Sequence, residues 1–138
     1  MLNAENPKHA AADSRLRSET VIWLTTVNKA GQPQSSPVWF LWDGDQFLIY
    51  GSADGQKTAN IEANPRVSLN LDGNGQGGGI VVFEGTATVD RQGPAASTVA
   101  DYVAKYQARI ESYGWTLDSL ERDYPHVIRV TPTRARVW

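Results

Sequence analysis

The segment from Phe47 to Pro65 combines the residue types that hold a phosphate group. Its residues are typical of a strand, a glycine turn and a short helix that opens with Lys57 and Thr58. The first turn of a helix leaves backbone N–H groups without partners and carries partial positive charge, so an anion is stabilised there. Lys57 adds a full charge, and Ser52 and Thr58 add hydroxyl donors. The segment therefore predicts an anion site, although a surface helix with a solvated lysine shows the same pattern.

Outside that segment, side chains for acid–base or nucleophilic catalysis are scarce. The two histidines, His9 and His126, lie in no recognisable catalytic arrangement, and cysteine is absent. Asp43 and Asp45 flank Gly44 in a tight turn, where acidic residues serve the turn itself. We expect no metal site and assign no catalytic residue. If the chain is an enzyme, a bound cofactor carries the chemistry.

A glycine pattern formed by Gly73, Gly75 and Gly78 matches the dinucleotide-binding fingerprint but lacks its context. The fingerprint binds a pyrophosphate only where the glycine turn opens a helix. Here Gly79 runs into Ile-Val-Val-Phe, which is typical of a strand. The segment 73–79 is therefore predicted to be a hairpin loop, and its length would let it close over a ligand.

The elements that must position the anion site are mostly short strands. Strands are predicted over 21–27, 33–42, 46–52, 66–72 and 80–90, with a final strand pair over 127–130 and 134–138. Helices are predicted over 8–19, from Gln56 to the Asn64-Pro65 stop, from Pro94 onward and over 117–123. Many short strands with hairpin turns and a few helices predict a mainly β (α+β) fold, a small antiparallel β-barrel with flanking helices.

The long helix after Pro94 carries a regular apolar stripe. Helical spacing relates Val99, Tyr102, Val103, Tyr106 and Ile110. One buried face follows from that spacing, so the two tyrosines are interpreted as core residues and not as site residues.

Length, composition and charge exclude several classes of protein. A chain of 138 residues with 41% hydrophobic and 20% charged residues predicts one domain over 1–138, with residues 1–8 a flexible tail. No apolar run approaches the ~20 residues that span a bilayer, and no signal peptide is recognisable, so we expect a cytoplasmic protein with no membrane partner.

A net charge of -2 argues against nucleic acid as a partner. Arg129, Arg134 and Arg136 alternate near the C-terminus and are interpreted as a solvated edge strand.

Five segments of the chain, taken in order, are more specific than any one of them alone. They are Trp-Leu-Thr-Thr-Val at 23–27, Gly-Gln-Pro-Gln-Ser-Ser-Pro-Val-Trp-Phe at 31–40, Trp-Asp-Gly-Asp at 42–45, Lys-Thr-Ala-Asn-Ile at 57–61 followed by Asn-Pro-Arg-Val-Ser-Leu at 64–69, and Val-Phe-Glu-Gly-Thr-Ala at 82–87. Together they resemble the split-barrel flavin proteins related to pyridoxamine 5'-phosphate oxidase, and among these the actinobacterial branch that uses the deazaflavin coenzyme F420. The resemblance implies a split β-barrel that forms a homodimer with two equivalent sites at the interface.

The resemblance also implies which residues bind the cofactor. Lys57 would hold the phosphate of the ribityl tail, in agreement with the anion site inferred from the residues. The strand from Ser35 to Trp39 would line the ring, mostly through backbone groups. The predicted cofactor-binding residues are Ser35, Ser36, Pro37, Val38, Trp39, Tyr50, Gly51, Ser52, Gln56, Lys57 and Thr58.

Three departures from the family pattern bear on the reaction. The pyridoxamine phosphate oxidases have arginine at the positions of Ser36 and Gln56, and the glutamine that meets the ring there is Ile80 here. Two cationic cofactor contacts are therefore missing. Their loss argues against the vitamin B6 oxidase reaction and weakens an FMN assignment more than a deazaflavin assignment.

The resulting hypothesis is an F420H2-dependent reductase, an oxidoreductase that transfers a hydride between F420 and a small organic acceptor. Quinones, unsaturated lactones, tetrapyrroles and xenobiotics are all compatible acceptors. The alternatives are an FMN-binding oxidoreductase on the same fold and an F420- or flavin-binding protein without turnover. A barrel that binds single-stranded nucleic acid through exposed aromatic side chains is a more distant alternative.

Overall fold

Seven antiparallel strands form one curled sheet that frames the molecule as a half-barrel. The computed structural model describes residues 1–138. The strands are β1 (Ile22–Val27), β2 (Pro33–Val38), β3 (Leu41–Trp42), β4 (Phe47–Gly51), β5 (Arg66–Asn70), β6 (Val81–Asp90) and β7 (His126–Val137). Their order in the sheet is β2-β1-β5-β6-β7-β4-β3. The predicted mainly β, α+β split barrel is confirmed.

Four helices flank the sheet. They are α1 (Pro7–Ser18), α2 (Gln56–Ala63), α3 (Ala100–Ser112) and α4 (Leu117–Asp123). Ala12 and Leu16 bury one face of α1 against the core, to which Leu2 also packs. Asp13 accepts a hydrogen bond from Trp42 Nε1 at 2.8 Å, which fixes α1 on β3. No helix of the chain has the length and apolar character that crossing a bilayer requires.

Strand β4 is buried along its whole length because it lies between two hydrophobic clusters. Phe47 and Ile49 belong to the barrel core, whereas Leu48 and Tyr50 belong to a second cluster that contains residues of α3 and α4. Successive side chains of a strand point to opposite faces. The helices α3 and α4 therefore pack on the outer face of β4.

The predicted single strand over 33–42 is wrong, because the chain leaves the sheet at Trp39 and Phe40. β2 pairs with β1, and β3 pairs with β4. The peptide groups of Phe40 are held by α3 instead of a neighbouring strand. Phe40 N donates to Tyr106 Oη at 2.8 Å, and Phe40 O accepts from Lys105 Nζ at 2.8 Å. This break places Trp39 beside α3.

The predicted helix from Pro94 begins later than expected. A 3-10 turn over Ala96–Thr98 comes first, and α3 starts at Ala100 because Val99 is extended, with φ -98° and ψ 97°. The predicted buried stripe is confirmed, since Tyr102, Tyr106 and Ile110 are all buried on α3.

The predicted final strand pair is one continuous strand, β7. Its pairing with β6 shifts register between Glu84 and Gly85, so a bulge accommodates Pro132 without ending the strand. A Cβ atom on Gly85 would lie 2.6 Å from Thr131 O, so the close approach requires glycine. The half of β7 beyond Val130 pairs only with β6 and carries Arg134 and Arg136 on an exposed edge.

The glycine-rich segment 73–79 is a loop between antiparallel β5 and β6, as predicted. Asn74 Oδ1 accepts the N–H groups of Gln76 and Gly78, which shapes the loop from within. Arg15 of α1 donates to Asp72 O at 2.7 Å and to Gly79 O at 2.8 Å. One side chain therefore anchors both ends of the loop.

Candidate functional site

The start of α2 has unused hydrogen-bond donors. β4 ends at Gly51, and Gly55 N donates to Ser52 O at 3.1 Å to close the turn that leads into the helix. Gly55 is the N-cap residue, and no side chain caps the helix. The N–H groups of the first turn of α2 are therefore available to a group outside the helix. Lys57, which is half-buried, lies in that turn.

Thr58 adds a buried hydroxyl to this turn. The residue is 2% exposed, and its Oγ1 atom has no hydrogen-bond partner within the chain. It packs against Gly51, where an added Cβ would lie 3.0 Å from Oγ1. A buried hydroxyl without a partner costs about 1–3 kcal/mol, so a ligand oxygen within its reach would be favoured. The first turn of α2 therefore brings together unused backbone N–H groups and one unused hydroxyl.

A cavity of about 440 Å³ opens at this point. Its volume is within the range of about 300–1,000 Å³ that small-molecule sites have. Seven of the predicted cofactor-binding residues line it: Pro37, Val38, Trp39, Tyr50, Gly51, Ser52 and Lys57. The ends of β2 and β4 and the start of α2 thus converge on one cavity.

Four predicted residues do not line the cavity. Thr58 lies behind Gly51, and Ser36 is half-buried on β2. Ser35 is exposed, and its Oγ lies 2.6 Å from Thr25 Oγ1 on β1. Gln56 Nε2 donates at 2.7 Å to Asn60, so its amide belongs to a network inside the fold.

Sequence reasoning missed the opposite wall of the cavity, which comes mainly from α3, α4 and the turn between them. The missed lining residues are Val21, Tyr102, Arg109, Tyr113, Trp115, Leu120 and Tyr124. Tyr102 was interpreted as core, and it is both buried and cavity-lining. The spacing of Tyr102, Tyr106, Arg109 and Tyr113 along one helix face is the signal that could have identified this wall.

Four aromatic residues form what we call the aromatic mouth of the cavity: Trp39, Tyr113, Trp115 and Tyr124. Trp39 stacks on Tyr106, with ring centroids 4.6 Å apart and planes at 4°. The Trp39 ring also lies 6.4 Å from that of Tyr113 and 6.0 Å from that of Trp115. Tyr113, Trp115 and Tyr124 are 54%, 45% and 40% exposed. Trp39, Tyr113 and Trp115 are therefore in mutual proximity, and a partly exposed aromatic cluster of this kind is typical of a binding site.

Tyr50 and Tyr102 are neutral hydrogen-bonding groups in the wall of the cavity. Burial raises the pKa of Tyr50, and burial also raises the pKa of Tyr102 well above its ordinary value. The Tyr50 hydroxyl donates to Pro94 O at 2.8 Å. The Tyr102 hydroxyl makes no hydrogen bond within the chain, and Tyr102 lines the cavity. It is therefore a free neutral donor for a bound molecule.

Comparison with known families identifies the fold. The family model described as pyridoxamine 5'-phosphate oxidase matches residues 9–138. The chain belongs to this family. The resemblance inferred from the five sequence segments is thus confirmed for the pyridoxamine 5'-phosphate oxidase family, which includes oxidoreductases.

Proteins similar to this chain have names that indicate different ligands or activities. The pyridoxine/pyridoxamine 5'-phosphate oxidase of Edwardsiella ictaluri is 34% identical over 62 residues, which is 44% of this chain and 29% of that enzyme. The matched region thus spans less than a third of that relative's length. An F420 reductase structure shares 23% identity over 90% of this chain and 94% of its own, with a TM-score of 0.69. A FAD-binding protein from Mesorhizobium loti shares 23% identity over 91% and 88% of the two chains, with a TM-score of 0.64. These structures show the shared fold.

Proposed function

We propose that this protein is an F420-dependent oxidoreductase that transfers a hydride between the deazaflavin and a small organic acceptor. The observation that carries the proposal is the uncapped first turn of α2. Its free N–H groups and the Lys57 ammonium lie at the cavity, and the unpartnered Thr58 hydroxyl is buried directly behind Gly51, which lines the cavity. This donor set fits the phosphate of a ribityl tail.

The remaining lining residues fit the ring of the same cofactor. Pro37, Val38 and Trp39 supply a flat, mostly apolar wall where β2 ends. The Tyr102 hydroxyl supplies a neutral donor for a ring carbonyl or for the acceptor. When bound, reduced F420 supplies a hydride and reacts poorly with oxygen. The protein's task is to hold the phosphate, orient the ring and exclude water from the acceptor.

An FMN-dependent oxidoreductase is the second candidate, favoured by the similarity to a FAD-binding protein. F420 remains the first choice because the family's two arginine contacts to FMN are replaced by Ser36 and Gln56. Gln56 is also committed to Asn60, and neither residue lines the cavity.

The proposed assembly is a homodimer in which a second copy covers β2. β2 is an edge strand of the sheet, and four of its six residues are exposed. Pro33 and Pro37 have no N–H group to offer a further strand, so a second copy would cover β2 by side-chain packing and not by extending the sheet. Pro37 and Val38 lie on this strand and line the cavity, so a second copy there would complete the site. Light scattering during size-exclusion chromatography should give twice the chain mass of 15.1 kDa.

The test of function is a titration of the purified protein with F420 and with FMN, followed by fluorescence. Lys57→Ala should weaken F420 binding by about ten- to a hundredfold, because it removes a charge-assisted contact worth about 1.5–3 kcal/mol. The matched control is Lys29→Ala, an exposed lysine in the β1–β2 turn, which should leave the affinity unchanged.

Each result of the titration has a defined meaning. F420 affinity that Lys57→Ala does not change would refute the phosphate assignment. A preference for FMN would move the protein to the flavin-dependent candidate. F420 binding without reduction of any acceptor would identify a cofactor-binding protein that does not turn over.

A further inference from the structure

We infer that the hydride acceptor is a flat, conjugated molecule that carries an anionic group, bound between the aromatic mouth and Arg109. This inference rests on the proposed function, since it names the class of molecule that the same cavity receives besides the cofactor. It is carried by α3 and the turn that follows it, not by α2.

Arg109 lies on the cavity-lining face of α3. It is four residues before Tyr113 and three after Tyr106, so all three side chains share one side of the helix. Arg109 and Tyr113 both line the cavity. The guanidinium is therefore placed next to the aromatic surface that would hold a flat ring.

The guanidinium of Arg109 has no partner within the chain. The arginines at 15, 17, 91, 122, 134 and 136 form ion pairs with carboxylates, and Arg109 forms neither an ion pair nor a side-chain hydrogen bond. It is half-buried, so it has lost part of its hydration. A partly desolvated guanidinium favours an anion, and its planar fork matches a carboxylate, sulfonate or phosphate in two hydrogen bonds.

The aromatic mouth sets the shape of the rest of the molecule. Trp39 is already stacked on Tyr106, which holds the indole in a fixed orientation. Tyr113 and Trp115 lie near it with ring planes at 20° and 39° to the indole, and both are about half exposed. Flat conjugated rings gain most from such a surface through offset or tilted stacking.

Arg109 and Lys57 are two cationic side chains of the cavity that come from different elements. Lys57 comes from α2, at the end of β4, and Arg109 comes from the third turn of α3. The aromatic mouth adjoins Arg109 because Tyr113 follows it by one helical turn. We therefore assign an anionic group bound by Arg109 to the flat molecule stacked on the aromatic mouth. A carboxylate of the cofactor's own tail could also supply that anionic group, and the experiments below distinguish the two.

The first experiment measures binding without cofactor, by calorimetric titration with naphthalene-2-carboxylate and with the neutral naphthalene-2-carboxamide. We expect the carboxylate to bind more tightly, and Arg109→Gln to weaken its binding by about ten- to a hundredfold while changing the carboxamide affinity by less than about twofold. Arg122→Gln, an exposed arginine of α4 outside the cavity, is the matched control. Trp115→Ala should weaken both ligands by the same factor.

The second experiment measures turnover with reduced F420 and a matched pair of acceptors, 1,4-naphthoquinone and its 2-sulfonate. Arg109→Gln should lower kcat/KM for the sulfonate by about ten- to a hundredfold relative to the parent quinone. Arg109→Lys, which keeps the charge, should restore most of that preference and guards against a Gln variant that fails to fold.

Two results would overturn the inference while the proposed function stands. One is an equal loss for both members of each pair in Arg109→Gln. The other is weaker F420 binding in Arg109→Gln with an unchanged sulfonate preference, which would assign Arg109 to the cofactor's tail. Conversely, an Arg109-dependent preference for the carboxylate in a protein that binds no F420 would support the anion subsite and refute the proposed function.

Discussion

Thr58→Val should change stability and cofactor affinity in opposite directions. Valine has the shape of threonine but no hydroxyl, so the substitution removes a buried oxygen that has no partner within the chain. An unsatisfied buried hydroxyl costs about 1–3 kcal/mol, and valine and threonine have similar helix propensities. We therefore expect the free energy of unfolding of the cofactor-free protein to rise by about 1–2 kcal/mol.

Thr26→Val provides a matched control. Thr26 is 1% exposed, as deeply buried as Thr58, but its Oγ1 accepts a hydrogen bond from Asn60 Nδ2 at 2.9 Å. Asn60 also donates to Gln34 at 2.9 Å and accepts from Gln56 at 2.7 Å, so its amide is part of a buried network. Removing the Thr26 hydroxyl leaves an amide hydrogen without a partner and should cost about 1–2 kcal/mol.

Thermal unfolding and cofactor titration together measure both effects. For 138 residues the unfolding entropy is about 0.3 kcal/mol/K, so each kcal/mol moves Tm by about 3–4 °C. Thr58→Val should raise Tm by about 3–7 °C, and Thr26→Val should lower it by a similar amount. Thr58→Val should also weaken F420 binding by about two- to tenfold, because one neutral hydrogen bond to the phosphate is lost.

Equal destabilisation of the two valine variants would contradict this prediction and would mean that the Thr58 hydroxyl has a partner in the cofactor-free protein. A raised Tm with unchanged F420 affinity would instead remove Thr58 from the phosphate site and leave Lys57 and the backbone N–H groups to hold the anion.

Two further predictions concern the elements around the site. Gly51→Ala should destabilise the protein by about 1–3 kcal/mol in urea unfolding, because the new Cβ would lie 3.0 Å from Thr58 Oγ1 and 3.1 Å from Ile128 Cδ1; unchanged stability would show that α2 can move away from β4. Burial lowers the pKa of Lys105 to about 8 from 10.5, so the unfolded chain binds more protons between these values and stability should rise with pH in that window. Lys105→Met should abolish that rise, and an identical pH profile in the variant would contradict it.

Local turn and stop signals explain why the position of α2 after β4 could be predicted from the sequence. The Gly55 turn and the Asn64-Pro65 stop set both ends of α2, and neither depends on distant residues. The register of β4 then follows from the Asp43-Gly44 turn, where Asp43 Oδ1 accepts from Asp45 N and Gln46 N. Lys57, the second residue of α2, therefore lies shortly after the end of β4.

The aromatic wall could not be predicted in the same way, because it depends on contacts between residues far apart in sequence. Tyr106 and Lys105 hold the Phe40 peptide groups from 66 and 65 residues away, which breaks the predicted strand and turns Trp39 toward α3. The stripe on α3 correctly predicted burial, but burial alone did not show that Tyr102 also faces a cavity. Only the docking of α3 on β4 shows this.

Strand β4 explains why one cavity has two chemically different walls. Its inner residues Phe47 and Ile49 are fixed in the barrel core, so its outer residues Leu48 and Tyr50 must be covered by other elements. The helices α3 and α4 bury this outer face. The chain leaves β4 at Gly51 and enters α2 at Gln56 after a short turn. The polar start of α2 and the aromatic face of α3 thus meet at the end of the same strand. Under the proposed function, the start of α2 would hold the cofactor's phosphate and the aromatic face of α3 would hold the acceptor.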